Sequence, residues 1–211
     1  MQKPLLISRK RSVYMKTKLN SKDLINIGVF SMLLIMAISI AFSITFTPII
    51  QFSRMFVSAF LGAPVFLLFV AKTQKPLAVT IMGILCSTIV GGLMFGSLLY
   101  ALVCFVCFIA AEIVLYFGKY KNLKVNELAY ICCSFWPFGA YGIWWYDTQN
   151  CVDLSLSGSY SQEFVDAILE LITPTSCILV LLSTAIGAVL GIVFTRSLFK
   201  KHFRKSGLIT E

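Results

Sequence analysis

The sequence predicts an all-α membrane protein with six transmembrane helices, both termini cytoplasmic, and a short amphipathic helix on the outer surface. Three observations carry that expectation: the composition, six apolar segments of membrane-crossing length, and the placement of the basic residues. The chain has 211 residues, of which 58% are apolar and 13% charged, with a mean hydropathy of +0.87. A soluble domain is about 45–50% apolar and about 25% charged. Too little polar surface remains to wet a globule. That excludes a soluble enzyme, a nucleic-acid-binding domain and a disordered chain.

A helix crossing the hydrocarbon needs about 20 apolar residues, with a range of roughly 17–25. Residues 24–46 form the first candidate. This run is too long for a signal peptide, and no small-residue cleavage site follows it. After a tight turn come residues 49–70, then 77–93, the shortest of the six, then 98–117, 127–146 and 174–195. The transmembrane domain therefore covers residues 23–197, between a basic arm at 1–22 and a basic tail at 198–211. Met15 offers a second start within the arm, and residues 1–14 receive no function.

The bases set the orientation. Lys3, Arg9, Lys10, Arg11, Lys16, Lys18 and Lys22 precede the first segment, and Lys72 and Lys75 join the second to the third. Lys119, Lys121 and Lys124 join the fourth to the fifth, and Arg196, Lys200, Lys201, Arg204 and Lys205 follow the sixth. With an even number of crossings these seventeen of the 18 Lys and Arg fall on one side, and only Arg54 lies towards the other. Cytoplasmic loops retain Lys and Arg. Adding or removing one crossing would scatter the bases. The net charge of +9 thus records topology, and no nucleic-acid partner is needed to explain it.

The longest outer loop carries Asp147, Asp153, Glu163, Asp166 and Glu170 without a base. Ser159 and Gln162 have capping-box spacing. Phe164, Val165, Ile168 and Leu169 then share one helical face, with the acids largely opposite. Two readings of this helix stand: a solvated connector, or a lid over an outward-facing pocket.

Catalytic chemistry is scarce, and no enzyme is expected. The only histidine, His202, lies in the basic tail, which excludes a histidine triad, a zinc site with several histidines and an intramembrane histidine relay. No G-x-x-x-x-G-K-[ST] loop occurs, so ATP-driven transport would need another subunit for hydrolysis. Six of seven cysteines lie in or at the ends of apolar segments, where free cysteine behaves as a small hydrophobe. Cys151 stands in the outer loop, and the sequence gives no support to a bridge with Cys177. No intrinsic cofactor or metal is expected.

Two charges sit where charge is costly. Glu112 lies well inside the fourth segment, where insertion of a charge costs about 3 kcal/mol. It is either a relay or a packing or docking residue. The second role is preferred, because no other ionisable group lies at similar depth. Arg54, near the outer end of the second segment, either snorkels to the interface or meets an anionic ligand arriving from outside.

Tyr141, Trp144, Trp145 and Tyr146 concentrate at the outer end of the fifth segment, with Trp136 and Pro137 deeper. An interfacial aromatic belt explains part of this. Aromatic walls with few polar groups also suit a flat apolar ligand. Pro137, Gly139 and Gly142 would let the helix bend and open space beside it. Thr45, Thr47 and Gln51, in the turn between the first two segments, would supply polar contacts. Small residues recur at helix-packing spacing in Ala37-x-x-x-Ala41, in Gly92-x-x-x-Gly96, and at Ser183, Gly187 and Gly191.

Several stretches are familiar together. They are Lys18-Leu19-Asn20-Ser21-Lys22-Asp23-Leu24-Ile25-Asn26-Ile27-Gly28, Leu61-Gly62-Ala63-Pro64, Ala71-Lys72, Ile81-Met82-Gly83-Ile84, Ala111-Glu112, Gly118-Lys119-Tyr120-Lys121 and Trp136-Pro137-Phe138-Gly139. Over roughly residues 15–200 the chain resembles the Trep_Strep family of small bacterial integral membrane proteins. That family resembles the substrate-binding S components of energy-coupling factor (ECF) importers. The resemblance implies an S-component-like bundle in the bacterial cell membrane. It would bind a micronutrient in its outer half, dock on a transmembrane T component carried by two ATPases, and topple to release its cargo inside. It also implies that Ala37 and Ala41, at the spacing S components use in their first helix, contact the T component. Glu112 falls in the family's Ala-Glu pattern, which favours docking.

On this reading the substrate-binding residues are Thr47, Gln51, Arg54, Trp136, Tyr141, Trp144, Trp145 and Tyr146. Vitamins, their precursors and haem-like tetrapyrroles are the candidate ligands. Haem is the leading specific expectation, with one propionate on Arg54 and Met55, Met94, a tyrosine or a cysteine as axial ligand. An acidic outer face disfavours a multiply phosphorylated ligand. The rival classes are a stand-alone secondary transporter or channel, which needs intramembrane ionisable groups or a polar pore, and an intramembrane enzyme, which needs paired catalytic residues at one depth.

Overall fold

The computed structural model of the chain describes residues 19–44, 47–158 and 160–202, and every regular element among them is helical. Helix α1, Ser21–Ser43, starts at a reciprocal cap: the Asn20 side chain accepts the Asp23 N–H at 2.9 Å, and the Asp23 carboxylate accepts the Asn20 N–H at 2.8 Å. A one-turn helix α2, Pro48–Gln51, leads into α3, Arg54–Thr73. Helix α4, Ala78–Cys86, runs on into a π-helical stretch, Ser87–Met94. Helix α5, Leu98–Phe117, occupies the bounds expected of the fourth segment. The chain continues through α6 (Leu123–Cys133), α7 (Phe138–Tyr141), α8 (Ile143–Tyr146), α9 (Thr148–Ser157), α10 (Gln162–Leu171) and α11 (Pro174–His202).

Four helical stretches are long and apolar enough to cross a bilayer: Ser21–Ser43, Pro48–Thr73, Leu98–Phe117 and Pro174–Lys200. Ala78–Met94 is apolar but shorter. The expected fifth crossing, 127–146, is not one helix. Pro137 has no N–H to offer the Cys133 carbonyl, which the Trp136 N–H takes instead at 2.9 Å. Tight turns run from Ser134 to Pro137, and only one-turn helices follow. The expected amphipathic helix exists as α10, with Val165 and Ile168 buried. Its cap is not the expected one: the Ser161 hydroxyl accepts the Phe164 N–H at 3.2 Å, and Ser159 lies outside the described residues. The arm at 1–18 and the tail at 203–211 also lie outside them, and α11 passes through the expected boundary at 197 without a break.

Helix α3 lies between α1 and α11 and touches α6, while α5 packs on α4, the π-helical stretch, α6 and α7. The α3–α11 seam is backbone against backbone. A Cβ on Gly187 would stand 2.5 Å from the Phe56 carbonyl oxygen, and one on Gly191 would stand 2.7 Å from that of Phe60. Pro64 contributes no N–H to the Phe60 carbonyl, so this oxygen is turned towards Gly191 without its usual helical donor. Around the outside, large apolar side chains such as Met36, Val106, Ile113, Leu182 and Val193 are more than half exposed, a surface suited to lipid.

Three contacts define one end of the bundle. Asp23 pairs with Lys75, Glu127 takes both the Nε and Nη2 donors of Arg196, and Glu112 bonds to the start of α4. Lys22, Lys72, Lys119, Lys121, Lys124 and Lys200 lie at this same end. Helices α9 and α10, with the acids of residues 147–170, lie at the other, against α8 and α2.

Candidate functional site

At the acidic end the bundle holds a cavity of about 300 Å³. Helices α1, α2 and α3 bring Phe42, Gln51 and Arg54 to its wall. Beside them stand Phe95 and Ser97, from the turn after the π-helical stretch, and Tyr100 at the start of α5. Tyr141 and Trp144 come from α7 and α8. Helix α9 covers the space with Cys151, Leu154 and Ser155, and Tyr160 follows.

Local backbone chemistry places these groups. In the π-helical stretch the Phe95 N–H reaches the Val90 carbonyl at 3.0 Å, and the Ser97 N–H reaches that of Gly91 at 2.9 Å. These wide turns, with Gly96 at φ 58°, swing Phe95 and Ser97 inward. Gly139 allows α7 to lie directly on Tyr100, because a Cβ there would be 2.4 Å from the Tyr100 ring.

One wall is a chain of π contacts. The Arg54 guanidinium carbon lies 4.9 Å from the Phe42 ring centroid. Phe42 is 6.1 Å from Phe95, and Phe95 is 5.5 Å from Tyr100. Two buried polar atoms here have no hydrogen-bond partner: Gln51 Oε1 and the Tyr100 hydroxyl. Gln51 is 3% exposed and Tyr100 1%. Native interiors satisfy the large majority of such groups, so two on one cavity wall are an unusual feature of this interior. Among the described residues no carboxylate lines the cavity. Burial pushes the Cys151 thiol up to about 12, so it stays protonated and serves as apolar wall. It forms no bridge with Cys177, since both are free thiols.

The cavity brings together Gln51, Arg54, Tyr141 and Trp144 and leaves the other four expected contacts outside. Trp145 donates its Nε1–H to the Thr173 carbonyl at 2.9 Å and stacks on Phe138 at 6.3 Å. The Tyr146 hydroxyl donates to the Gly139 carbonyl. Trp136 is buried against Phe108 at 5.6 Å. Thr47 is an exposed cap of α2, and Thr45 lies outside the described residues. Of the axial ligands expected for haem, Met55 is buried in a separate cluster with Tyr141 and Val180, and Met94 is 58% exposed. The sequence reading missed Phe42, Phe95, Ser97, Tyr100 and Tyr160.

The three expected docking residues are turned inward. Ala37 and Ala41 are buried in the bundle and offer no outer surface. The reason is rotational: the exposed small pair on α1 is Ser39 and Ser43, two positions along and on the opposite face. Glu112 is a helix cap. Its Oε1 accepts the Leu77 N–H at 2.8 Å and the Tyr120 hydroxyl at 2.6 Å; its Oε2 accepts the N–H groups of Val79 at 3.0 Å and Thr80 at 3.1 Å. These are orphan donors of a helix N-terminus, and a carboxylate there also opposes the helix dipole favourably. Burial and the Glu112 carboxylate together hold the Tyr120 phenol above its ordinary range, so it remains a donor.

The described residues contain no group of three or more His, Cys, Asp or Glu arranged to hold a metal ion. The family model described as a hypothetical bacterial integral membrane protein (Trep_Strep) matches residues 21–205. No curated protein and no solved structure matches the chain.

Proposed function

We propose, from the premise that the chain belongs to the Trep_Strep family of bacterial integral membrane proteins, that it is the substrate-binding S component of an ECF-type importer. It captures a micronutrient outside the cell and delivers it through a T component driven by two separate ATPases. The observation that carries this reading is the covered cavity with two unpartnered buried polar atoms, at the end of the bundle opposite the bases.

Six crossings with both termini cytoplasmic follow from the positive-inside rule, given that every described Lys and Arg but Arg54 lies at one end. The broken stretch from α6 to α8 makes the fifth crossing, its irregular backbone buried in protein where the bilayer tolerates it. Helices α9 and α10 form the lid. A cavity of about 300 Å³ is at the lower end of ligand pockets, so the cargo is compact and flat. Haem would require α9 and α10 to swing outward. The T component contacts the outer side of α1, where Ser39 and Ser43 with Met36, Ile40 and Ile44 form a shallow groove. An ion-coupled transporter is disfavoured because Glu112 is committed to four hydrogen bonds.

The test is isolation of the tagged chain from its native membrane. A T component and two ATPases should come with it, and mass spectrometry of the purified subunit should find a retained small molecule. Uptake that survives depletion of every ATPase partner would end the proposal.

A further inference from the structure

We infer that the cavity takes a compact, flat heterocycle that carries both an N–H donor and a hydrogen-bond acceptor, the pairing found in a cyclic amide. This rests on the reading that the cavity is the substrate site of an import subunit.

Two side chains of opposite need share the wall. The Tyr100 hydroxyl is buried without a hydrogen-bond partner, and the residue is 1% exposed. Its ring is held in place: Phe95 lies 5.5 Å from it, and α7 presses on it at Gly139, which leaves no room for a Cβ beside the ring. The hydroxyl therefore cannot swing away to a partner elsewhere in the fold. A buried hydroxyl left without an acceptor is costly, and a carbonyl oxygen or ring nitrogen on a ligand supplies one. Gln51 Oε1 is the converse case, an acceptor buried without a donor in a residue 3% exposed. The two do not satisfy each other, since each is without a partner. The same ligand must then bring an N–H for Gln51 and an acceptor for Tyr100. Arg54 reaches this wall too, but it is engaged within the protein, with its guanidinium carbon 4.9 Å from the Phe42 ring centroid, so no charge is required of the ligand. The remaining wall is Phe42, Phe95, Tyr141, Trp144 and Tyr160, rings that favour a flat molecule. The volume of about 300 Å³ leaves room for one or two fused rings.

The experiment is calorimetric titration of the purified subunit with isoquinolin-1-one, a bicyclic lactam, with its N-methyl derivative and with indole. The lactam should bind most tightly. Methylating the nitrogen removes the donor for Gln51, and indole keeps an N–H but lacks the carbonyl for Tyr100. Each change should weaken binding about tenfold, the worth of one good hydrogen bond. Gln51→Met should bind the lactam and its N-methyl derivative equally, and Tyr100→Phe should bind lactam and indole equally. A preference over the N-methyl derivative that survives in Gln51→Met is steric and overturns the inference. Without ligand, Tyr100→Phe should melt no lower than the unaltered protein, because the hydroxyl it lacks makes no bond within the fold; a lower melting point overturns the inference as well. If either variant fails to fold, the analogue series on the unaltered protein still decides. A lactam that binds no better than both analogues sinks the proposal, and so does a series in which nothing binds at millimolar concentration, since ordered water then completes these groups. Co-purification with a T component does not involve the cavity. A retained ligand that lacks either the donor or the acceptor would overturn the ligand class and leave the import role standing. Loss of co-purification with the lactam preference intact would do the reverse.

Discussion

Gly191→Ala puts the α3–α11 seam to the test. The added methyl would lie 2.7 Å from the Phe60 carbonyl oxygen, 2.8 Å from Ala63 Cβ and 3.1 Å from Phe60 Cα. Carbon contacts are optimal at about 3.5–4.0 Å, and the obstructing atoms belong mostly to helix backbone, which cannot swing away. Relief requires the two helices to part by ~0.5–1 Å, and a gap of that size forfeits a quarter to a half of each dispersion contact along the seam. Overpacking of this kind costs ~1–3 kcal/mol, and the better helix propensity of alanine returns about 1 kcal/mol. The net loss is ~0–2 kcal/mol, or ~0–8 °C in Tm for a chain of this length. The readout is thermal melting in detergent with a thiol-reactive dye, since Cys86, Cys104 and Cys133 are buried free thiols that unfolding exposes. Gly28 has nothing within 4 Å of an added Cβ, so Gly28→Ala should raise Tm by ~2–4 °C. Gly187→Ala and Gly191→Ala together should cost less than their sum, because one separation relieves both. A Gly191→Ala protein that melts above the unaltered one, as Gly28→Ala is expected to do, would refute the close-approach argument.

Three further outcomes are expected. Glu112→Ala should lose ~2–4 kcal/mol, combining a lost helix cap with a stranded Tyr120 hydroxyl, while Glu112→Gln should lose less and transport with an unaltered pH profile; a shifted profile would restore the relay. In a background with the native cysteines replaced, Gln149→Cys should label from outside intact cells and Lys121→Cys should not; external labelling of Lys121→Cys would break the six-crossing topology. Trp144→Ala should reduce retention of the co-purified molecule, while Trp145→Phe, altered outside the cavity wall, should leave it unchanged; equal effects would return this cluster to an interfacial belt.

How much of this was legible in the sequence varies from residue to residue. The bounds of α5 were legible because Leu98–Phe117 is apolar apart from Glu112 and is followed by charged Lys119. The break after Cys133 was not, since hydropathy does not change across 127–146 although hydrogen bonding does. Helix α9 was missed because Thr148–Ser157 mixes polar and apolar residues without a clear period. Gln51, Arg54, Tyr141 and Trp144 stood out by type, whereas Phe42, Phe95 and Tyr100 are aromatic residues in apolar runs and nothing in a linear reading separates a cavity wall from a lipid-facing ring. Spacing located the small residues of α1 correctly. It carries no information on which side of the helix faces the bundle, and for Ala37 and Ala41 that side is the inside.

The carboxylate ties are unevenly distributed along the molecule. Asp23, Glu112 and Glu127 each fasten one helix terminus or loop to another at the basic end, whereas Asp147, Asp153 and Asp166 at the other end accept from side chains three or four residues away. Short helices with few buried residues make up the opposite end: α8 and α9 bury only Trp144 and Cys151. Such elements open with small free energies, while a tied core exchanges its amides only on global unfolding. The chain is therefore built like a peg sprung at one end. Its jaws can part while the spring holds, so the capture proposed above would not require the bundle to come apart at its base.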